Sequence, residues 1–172
     1  NKHMKLLQSI ALCFILVSMT TSCSQEANNS KEFIINTVLV GSGPLFEGSN
    51  TCQVEISSNI ADYIKENNIT TEEIVDVTLT SASVTLDSSS SKLVESINLQ
   101  VFSDNFPMQN VAFANVDGNE KVNLEVADVQ EQLKDILFDD KSYIIADATI
   151  FEDLDDDLNL NTELVFSINY HK

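Results

Sequence analysis

The sequence contains no Arg and no Trp, and its 172 residues include nine Lys against 27 Asp and Glu. The formal net charge is −18. Clustered Lys and Arg are what hold a nucleic acid by its phosphates, so this composition excludes nucleic acid as a partner. The same lack of positive charge argues against docking on an anionic lipid surface by charge alone.

Histidine is also scarce, since the chain has only His3 and His171. Nucleophilic catalysis by Ser or Cys needs a neighbouring base, and a zinc site needs several His or Cys. Without Arg, a bidentate clamp on a phosphate or carboxylate substrate is missing as well. Carboxylate pairs remain open, but glycosidases of that kind normally add aromatic platforms, and this chain has no Trp. We therefore expect a protein that is not an enzyme.

The first 22 residues have the pattern of a secretory signal peptide. Lys2 and Lys5 precede an apolar run from Leu6 to Val17, which is shorter than the ~20 residues of a membrane span. The following segment, 17–23 (VSMTTSC), resembles a bacterial lipobox in the loose form common in the Bacteroidota. Ser22 provides the small side chain before Cys23, although Thr20 replaces the usual Leu. The resemblance implies that Cys23 is acylated and anchors the protein in the cell envelope, with the outer membrane as the expected location.

The remaining chain is long enough for one domain. We expect a signal peptide over 1–22, a polar tether over 23–31 and a single domain over 32–172. If Cys23 is acylated, Cys52 has no disulfide partner, and its apolar neighbours predict a buried, unreactive thiol. A Cys23–Cys52 disulfide is the alternative if Cys23 is not acylated.

Apolar residues alternate with polar ones along most of the domain, which predicts about eight strands. The alternation changes phase near Thr80, which indicates a bulge. Ser88–Ser91 predicts a turn that closes a hairpin between two of these strands, and Phe113, Phe166 and Tyr170 fall on core-facing positions. The predicted strands cover residues 33–40, 51–56, 75–86, 97–101, 111–113, 122–126, 143–151 and 158–170.

Two short helices interrupt the strands. The apolar spacing predicts one over 59–66, and a capping-box pattern at Asp128–Glu131 predicts another of about ten residues that ends near Phe138. The fold that we expect is a mostly antiparallel β-sandwich, immunoglobulin-like in outline, with these two helices inserted. The alternative is an α+β fold with both helices on one face of an antiparallel sheet.

The acidic segment 152–161 is the most suggestive candidate for a metal site, because Ca²⁺ prefers oxygen ligands. A helix–loop–helix calcium loop is excluded, since Leu158 and Leu164 replace its required Gly and Glu. Apolar residues occupy the even positions, so the odd positions would line the solvent face of a strand. We expect no cofactor, and keep a calcium site as the alternative, with the ligands Asp153, Asp155, Asp157 and Asn159.

Two apolar loops are candidates for recognition. Gly41-Ser42-Gly43 follows a strand but is not followed by a helix or a Gly-Lys pair, so it does not predict a phosphate site. Exposed apolar side chains on that loop and on the one near Pro107 would suit a binding surface. The predicted recognition residues are Leu45, Phe46, Phe102 and Phe106.

These features favour a lipid-anchored cell-envelope protein that acts as a non-catalytic binding or accessory module with a protein or glycan partner. One alternative is a structural subunit of a surface or envelope assembly, which an exposed and uncharged edge strand would favour. Another is an acidic inhibitor or immunity-type protein that covers a basic enzyme. A concavity lined by Phe102, Phe106 or Tyr63 would favour the binding module.

Overall fold

The computed structural model describes residues 29–171 and is mostly β. The predicted signal peptide and Cys23 lie outside these residues. None of the helices between residues 29 and 171 is long and apolar enough to cross a membrane. The strands are β1 (Asn29–Gly41), β2 (Gly48–Glu55), β3 (Ile74–Thr85), β4 (Val94–Ser103), β5 (Gln109–Asn115), β6 (Lys121–Val126), β7 (Ser142–Ile150) and β8 (Leu158–Tyr170). The helices are α1 (Ser57–Glu66), α2 (Ser90–Leu93) and α3 (Leu133–Leu137), with a 3₁₀ turn at Thr71–Glu73.

The eight strands close into a barrel in the order β1-β2-β7-β4-β5-β6-β3-β8, and every pairing is antiparallel. The predicted open sandwich is therefore wrong, and so is the alternative of an open sheet with helices on one face. Closure depends on two short seams: β1 meets β2 at Val40–Gln53, and β5 meets β6 at two residue pairs. Alternation along a strand indicates which side faces the core, but it does not reveal which strands are neighbours.

The chain crosses the ends of the barrel four times, because β2 and β3, β3 and β4, β6 and β7, and β7 and β8 are not neighbours. This order is that of a jelly-roll barrel. The predicted hairpin between β3 and β4 is consequently wrong, since β3 pairs with β6 and β8 while β4 pairs with β5 and β7. The serine-rich segment forms α2 within the crossing.

The strand directions define two ends, which differ in character. The acidic end carries the β1–β2 loop (42–47), α2, the turn at Asp117-Gly118 and the β7–β8 loop (151–157). The helical end carries α1, α3 and the β4–β5 loop (104–108). Side chains on the inner faces of all eight strands form one core between these ends, and Phe166 is among its fully buried members.

The strand pairings contain four register shifts, and two of them bear on the predicted positions of side chains. On β3, Leu79 pairs with Phe166 and Ser81 with Val165, so Thr80 is the extra residue and the predicted bulge is confirmed. On β5, Val111 is the extra residue, because Leu99 pairs with Ala112 and Gln100 with Asn110. Phe113 is therefore turned outward and is 46% exposed, so its predicted place in the core is wrong.

The two predicted helices differ in outcome. The first is confirmed as α1, which places Ile60 in the core. The second is shorter than predicted, since α3 begins only at Leu133. Ahead of it, the Gln130 carboxamide bonds to the backbone of Leu79 and Ala127, which holds this stretch as a turn against β3. The capping-box pattern therefore does not start a helix here.

Candidate binding groove

Hydrogen bonds with the acidic segment join the β7–β8 loop to the β1–β2 loop at the acidic end. Asp153 Oδ1 accepts a hydrogen bond from the Glu47 N–H (2.8 Å), and Asp157 Oδ1 accepts one from the Gly43 N–H (2.9 Å). Between these contacts, Leu45 and Leu154 exchange two backbone hydrogen bonds of 2.7 and 2.9 Å. Two of the predicted calcium ligands therefore bind backbone amides of a neighbouring loop.

The alternation expected for this segment begins only in β8, where Leu158 and Leu160 are buried and Asn159 is exposed. Asp155, Asp156 and Asp157 lie in the β7–β8 loop and are all exposed. Among residues 29–171, no group of three or more His, Cys, Asp and Glu side chains is arranged to hold a metal ion.

The four predicted recognition residues do not come together. Leu45 and Phe46 lie at the acidic end, where Leu45 is buried and Phe46 is 65% exposed. Phe102 and Phe106 lie toward the helical end, at the opposite end of the barrel. Phe102 stacks on Tyr143 with ring centroids 4.8 Å apart, and Phe106 packs against the core. The four residues therefore do not form one recognition surface.

Tyr63, the remaining aromatic candidate, is engaged within the helical end. Its hydroxyl donates to the Glu32 carbonyl oxygen (3.0 Å), and its ring lies 4.6 Å from that of Phe33. These contacts hold α1 against the start of β1. Tyr63 is thus a packing residue at this position.

A groove of about 720 Å³ lies instead on the outer face of the barrel, across β2, β7, β4, β5 and β6; we call it the outer-face groove. Its central row consists of one side chain from each of four neighbouring strands. Asn98 pairs with Asp147 on one side and with Phe113 on the other, and Phe113 pairs with Glu125. At ~4.8 Å per strand step, this row is about 14 Å long. Further lining residues are Ser49, Thr149, Ser96, Asn110 and Asp128.

Hydrogen bonds fix the polar groups of this surface. Asn110 Oδ1 accepts hydrogen bonds from Asn98 Nδ2 (3.2 Å) and Gln100 Nε2 (2.8 Å). Asp147 Oδ1 accepts one from Thr51 Oγ1 (2.8 Å). These bonds do not use Asn98 Oδ1, Asn110 Nδ2 or the second Asp147 oxygen, so the groove has both donors and acceptors among its lining groups.

Gln100 adds an unsatisfied acceptor beside the groove. Its Oε1 is buried and has no hydrogen-bond partner among residues 29–171. A buried polar atom without a partner is uncommon in a folded protein.

The groove is not predictable from the sequence alone, for an identifiable reason. The alternation along β4 places Ser96, Asn98 and Gln100 on the outer face, and the structure confirms that placement. Phe113, however, reaches the surface only through the Val111 bulge. The signal for the groove that the sequence does contain is the run of uncharged polar residues at alternate positions of β4.

The buried cysteine supports no chemistry at neutral pH. Cys52 is fully buried, as predicted, and it is a free thiol. Burial, and secondarily the negative charge of Asp147, raise the pKa of its thiol to about 11. The thiol therefore stays protonated and acts as a small core side chain.

Comparison with known proteins identifies no family. No protein-family model matches the chain, and no curated protein does. A solved structure titled Desmodium yellow mottle tymovirus is similar over 83% of this chain and 89% of that one, at 11% identity and a TM-score of 0.33. A TM-score this low supports no conclusion about fold or function.

Proposed function

We propose that this protein is a non-catalytic binding module, anchored in the cell envelope through Cys23, and that its outer-face groove holds a neutral glycan. The observation that carries the proposal is the central row of the groove, in which the Asn98 amide lies between the Asp147 carboxylate and the exposed Phe113 ring. Concave sites with one apolar surface and a few fixed polar groups are typical of small-molecule binding.

A sugar matches this combination of groups. Its hydroxyls both donate and accept, as the amides of Asn98 and Asn110 do, and its C–H faces are apolar enough to lie on Phe113. The carboxylates of Asp147 and Glu125 accept hydrogen bonds from hydroxyls, and charged acceptors make the stronger bonds. A row about 14 Å long suits an extended oligosaccharide that crosses the strands.

The charge of the groove favours a neutral ligand over an anionic one. Three acids line it, Glu125, Asp128 and Asp147, and no Lys is among its lining residues. A phosphate or carboxylate group would be repelled there and would find no cationic partner.

Binding to an array of neutral oligosaccharides tests the groove. We expect wild-type protein to bind at least one of them, and Phe113→Ala and Asn98→Ala to weaken that binding by about tenfold, the effect of ~1.4 kcal/mol. Phe46→Ala, which removes an exposed ring at the acidic end, is the matched control and should bind as the wild type does. Equal loss in all three variants, or binding to none of the sugars, would contradict the proposal.

Membrane fractionation tests the anchor. Cys23→Ala should release the protein from the membrane pellet, because it removes the thiol that would be acylated. Cys13→Ala, which changes a cysteine within the apolar run of the leader, should leave the protein in the outer-membrane fraction. A Cys23→Ala variant that still pellets with membranes would contradict the anchor.

A further inference from the structure

We infer that the outer face of β1, β8 and β3 lies against the bilayer that holds the acyl chains of Cys23, and that it contacts zwitterionic headgroups there. We call this surface the neutral face; it consists of the outward side chains of residues 34–40, 81–85 and 159–165. The inference depends on the proposed anchor. It is independent of the glycan proposal, because the outer-face groove spans β2, β7, β4, β5 and β6.

The first observation is the low charge of this face. The pairings place Ile34, Val165 and Ser81 in one row across the three strands, and the next row contains Glu163. Glu163 is the only charged side chain at the outward positions of the three stretches. Three acids, in contrast, line the outer-face groove on the other wall of the barrel.

The ends of the barrel are more acidic than the neutral face. The loop 151–157 of the acidic end alone contains five carboxylates, and the loops of the helical end contain Asp104, Asp139 and Asp140. The phosphates of a bilayer would repel either end. The acidic chain therefore meets less repulsion when the barrel lies on its neutral face than when it stands on one of its ends.

The second observation is an apolar strip along β1 within this face. Ile34, Val38 and Val40 are 50%, 43% and 39% exposed. They occupy alternate positions of one strand and therefore point to the same side, over a length of about 20 Å. Exposed apolar side chains that cluster in this way mark surfaces that contact a membrane or another protein.

The third observation is where the tether enters the barrel. Residues 23–28 precede β1, and a fully extended chain spans at most ~3.5 Å per residue, so Asn29 lies within about 21 Å of Cys23. The strand with the apolar strip is thus the one closest to the anchor along the chain. Contact with the bilayer is the occupant of this face that the tether favours.

The strand order also leaves the outer-face groove accessible. In the closed ring, β8 lies opposite β4, with three strands between them on either side. When the neutral face lies against the bilayer, Asn98 of β4 and the groove around it face away from the membrane. The same orientation therefore serves both the anchor and the binding of a glycan.

A second groove, of about 370 Å³, crosses the neutral face and indicates which headgroup it contacts. Its lining combines hydroxyl and amide side chains with the Glu163 carboxylate and, at the edge on β6, the Lys121 ammonium. Glu163 pairs with Ser83 and Lys121 with Thr85, which places their Cα atoms about 12 Å apart. An ethanolamine ammonium would donate to Glu163, and a lipid phosphate would accept from Lys121. This pair of charges matches a zwitterionic headgroup.

Fluorescence quenching in the full acylated chain tests the orientation. The protein is reconstituted in vesicles of phosphatidylethanolamine and phosphatidylcholine that contain a lipid with a nitroxide on its headgroup. A fluorophore is attached at Val38→Cys on the neutral face or at Asn115→Cys, an exposed position of β5 on the other wall. Cys52 is fully buried and does not compete for the label. We expect quenching at Val38 to be several times that at Asn115.

This experiment separates failure of the docking from failure of the anchor. Equal quenching at Val38 and Asn115, or stronger quenching of a label at Met108→Cys of the helical end, would overturn the docking in a protein that still sediments with the vesicles. A protein that does not sediment with them would contradict the anchor, and the docking with it.

Charge variants and lipid composition test the chemistry of the contact. Ile34→Glu should reduce quenching at Val38 to the level at Asn115, because it replaces an apolar contact by a second carboxylate. Val129→Glu, at an exposed apolar position outside the neutral face, should leave it unchanged. Phosphatidylglycerol in place of phosphatidylethanolamine should reduce quenching at low salt. Equal quenching in the two variants, or stronger quenching in the anionic vesicles, would overturn the proposal.

Discussion

The side chain of Gln130 pairs with the backbone of Leu79 as a neighbouring strand would. The Leu79 N–H donates to Gln130 Oε1 (2.7 Å), and Gln130 Nε2 donates to the Leu79 carbonyl oxygen (3.1 Å). Leu79 lies beyond the four residues of β3 that pair with β6, Ala82 to Thr85. The carboxamide thus provides hydrogen-bond partners for the backbone N–H and C=O of buried Leu79. This residue lies next to the Thr80 bulge, where β6 does not reach.

Gln130→Ala should lower the free energy of unfolding by about 1–3 kcal/mol, because it leaves the N–H and C=O of a buried residue without partners. Urea unfolding measures the effect. Gln132→Ala, two residues on and exposed, is the control and should change stability little. An equally small effect of both substitutions would show that water replaces the carboxamide without cost.

Gly43→Ala should destabilise the acidic end by about 1–3 kcal/mol. A Cβ at Gly43 would clash with the backbone oxygen of Asp155 and lie 2.7 Å from that of Asp156. The two loops would have to separate, which would also break the hydrogen bond from the Gly43 N–H to Asp157. Thermal unfolding measures the loss of stability in Gly43→Ala, with Ser42→Ala, a substitution at an exposed neighbour, as the control. Equal stability of the two variants would contradict the close packing of the loops.

Asp87 should make stability depend on pH in the acid range. Hydrogen bonds from the Ser89 hydroxyl (2.6 Å) and the Ser90 N–H (2.8 Å) lower the pKa of its carboxyl from 3.8 to about 2. A lowered pKa in the folded state means that the stabilisation is present above pH ~4 and is lost as the pH falls from 3.8 through 2. Asp139, whose pKa is also lowered to about 2 by the Asn105 side chain, acts in the same direction.

Asp87→Asn should therefore be less stable than the wild type near pH 6, and the difference should shrink as the pH falls from 3.8 through 2. Urea unfolding across this range measures it, with Asp62→Asn, an exposed carboxylate on α1, as the control. A difference between Asp87→Asn and the wild type that stays constant with pH would contradict the role of these hydrogen bonds.

Millimolar Ca²⁺ should change the Tm by less than about 1 °C, because a ligand raises stability only by the free energy of its binding to the folded chain. Asp153 and Asp157 already accept hydrogen bonds from the Glu47 and Gly43 amides. Differential scanning calorimetry with Ca²⁺, and with Mg²⁺ for comparison, measures the shift. A rise of several degrees that Asp155→Asn abolishes would support the calcium alternative.

Much of the secondary structure could be predicted from alternation alone, because alternation records which face of a strand is buried. The last predicted strand, 158–170, matches β8 at both ends, and the bulge at Thr80 is visible as a change of phase. The closure of the barrel could not be predicted in this way. It depends on pairings such as Val40–Gln53, and contacts between distant strands leave no local pattern.

Prediction of the outer-face groove would require both the alternation along each strand and the pairing between strands. The outward position of Asn98 follows from its place on β4, but its neighbours Asp147 and Phe113 come from strands far apart in sequence. The exposure of Phe113 depends on a bulge in a strand of only seven residues, too short for a phase change to be read. The sequence therefore predicted the polar face but not the site on it.

Amide chemical shifts in NMR can map where a bound neutral oligosaccharide contacts the protein, and this tests glycan binding in the outer-face groove directly. The proposed function predicts the largest shifts at Asn98, Asn110, Phe113 and Asp147, on the outer face of β4, β5 and β7. Shifts confined to the loops 42–47 and 151–157 of the acidic end, or no shifts with any oligosaccharide, would contradict it.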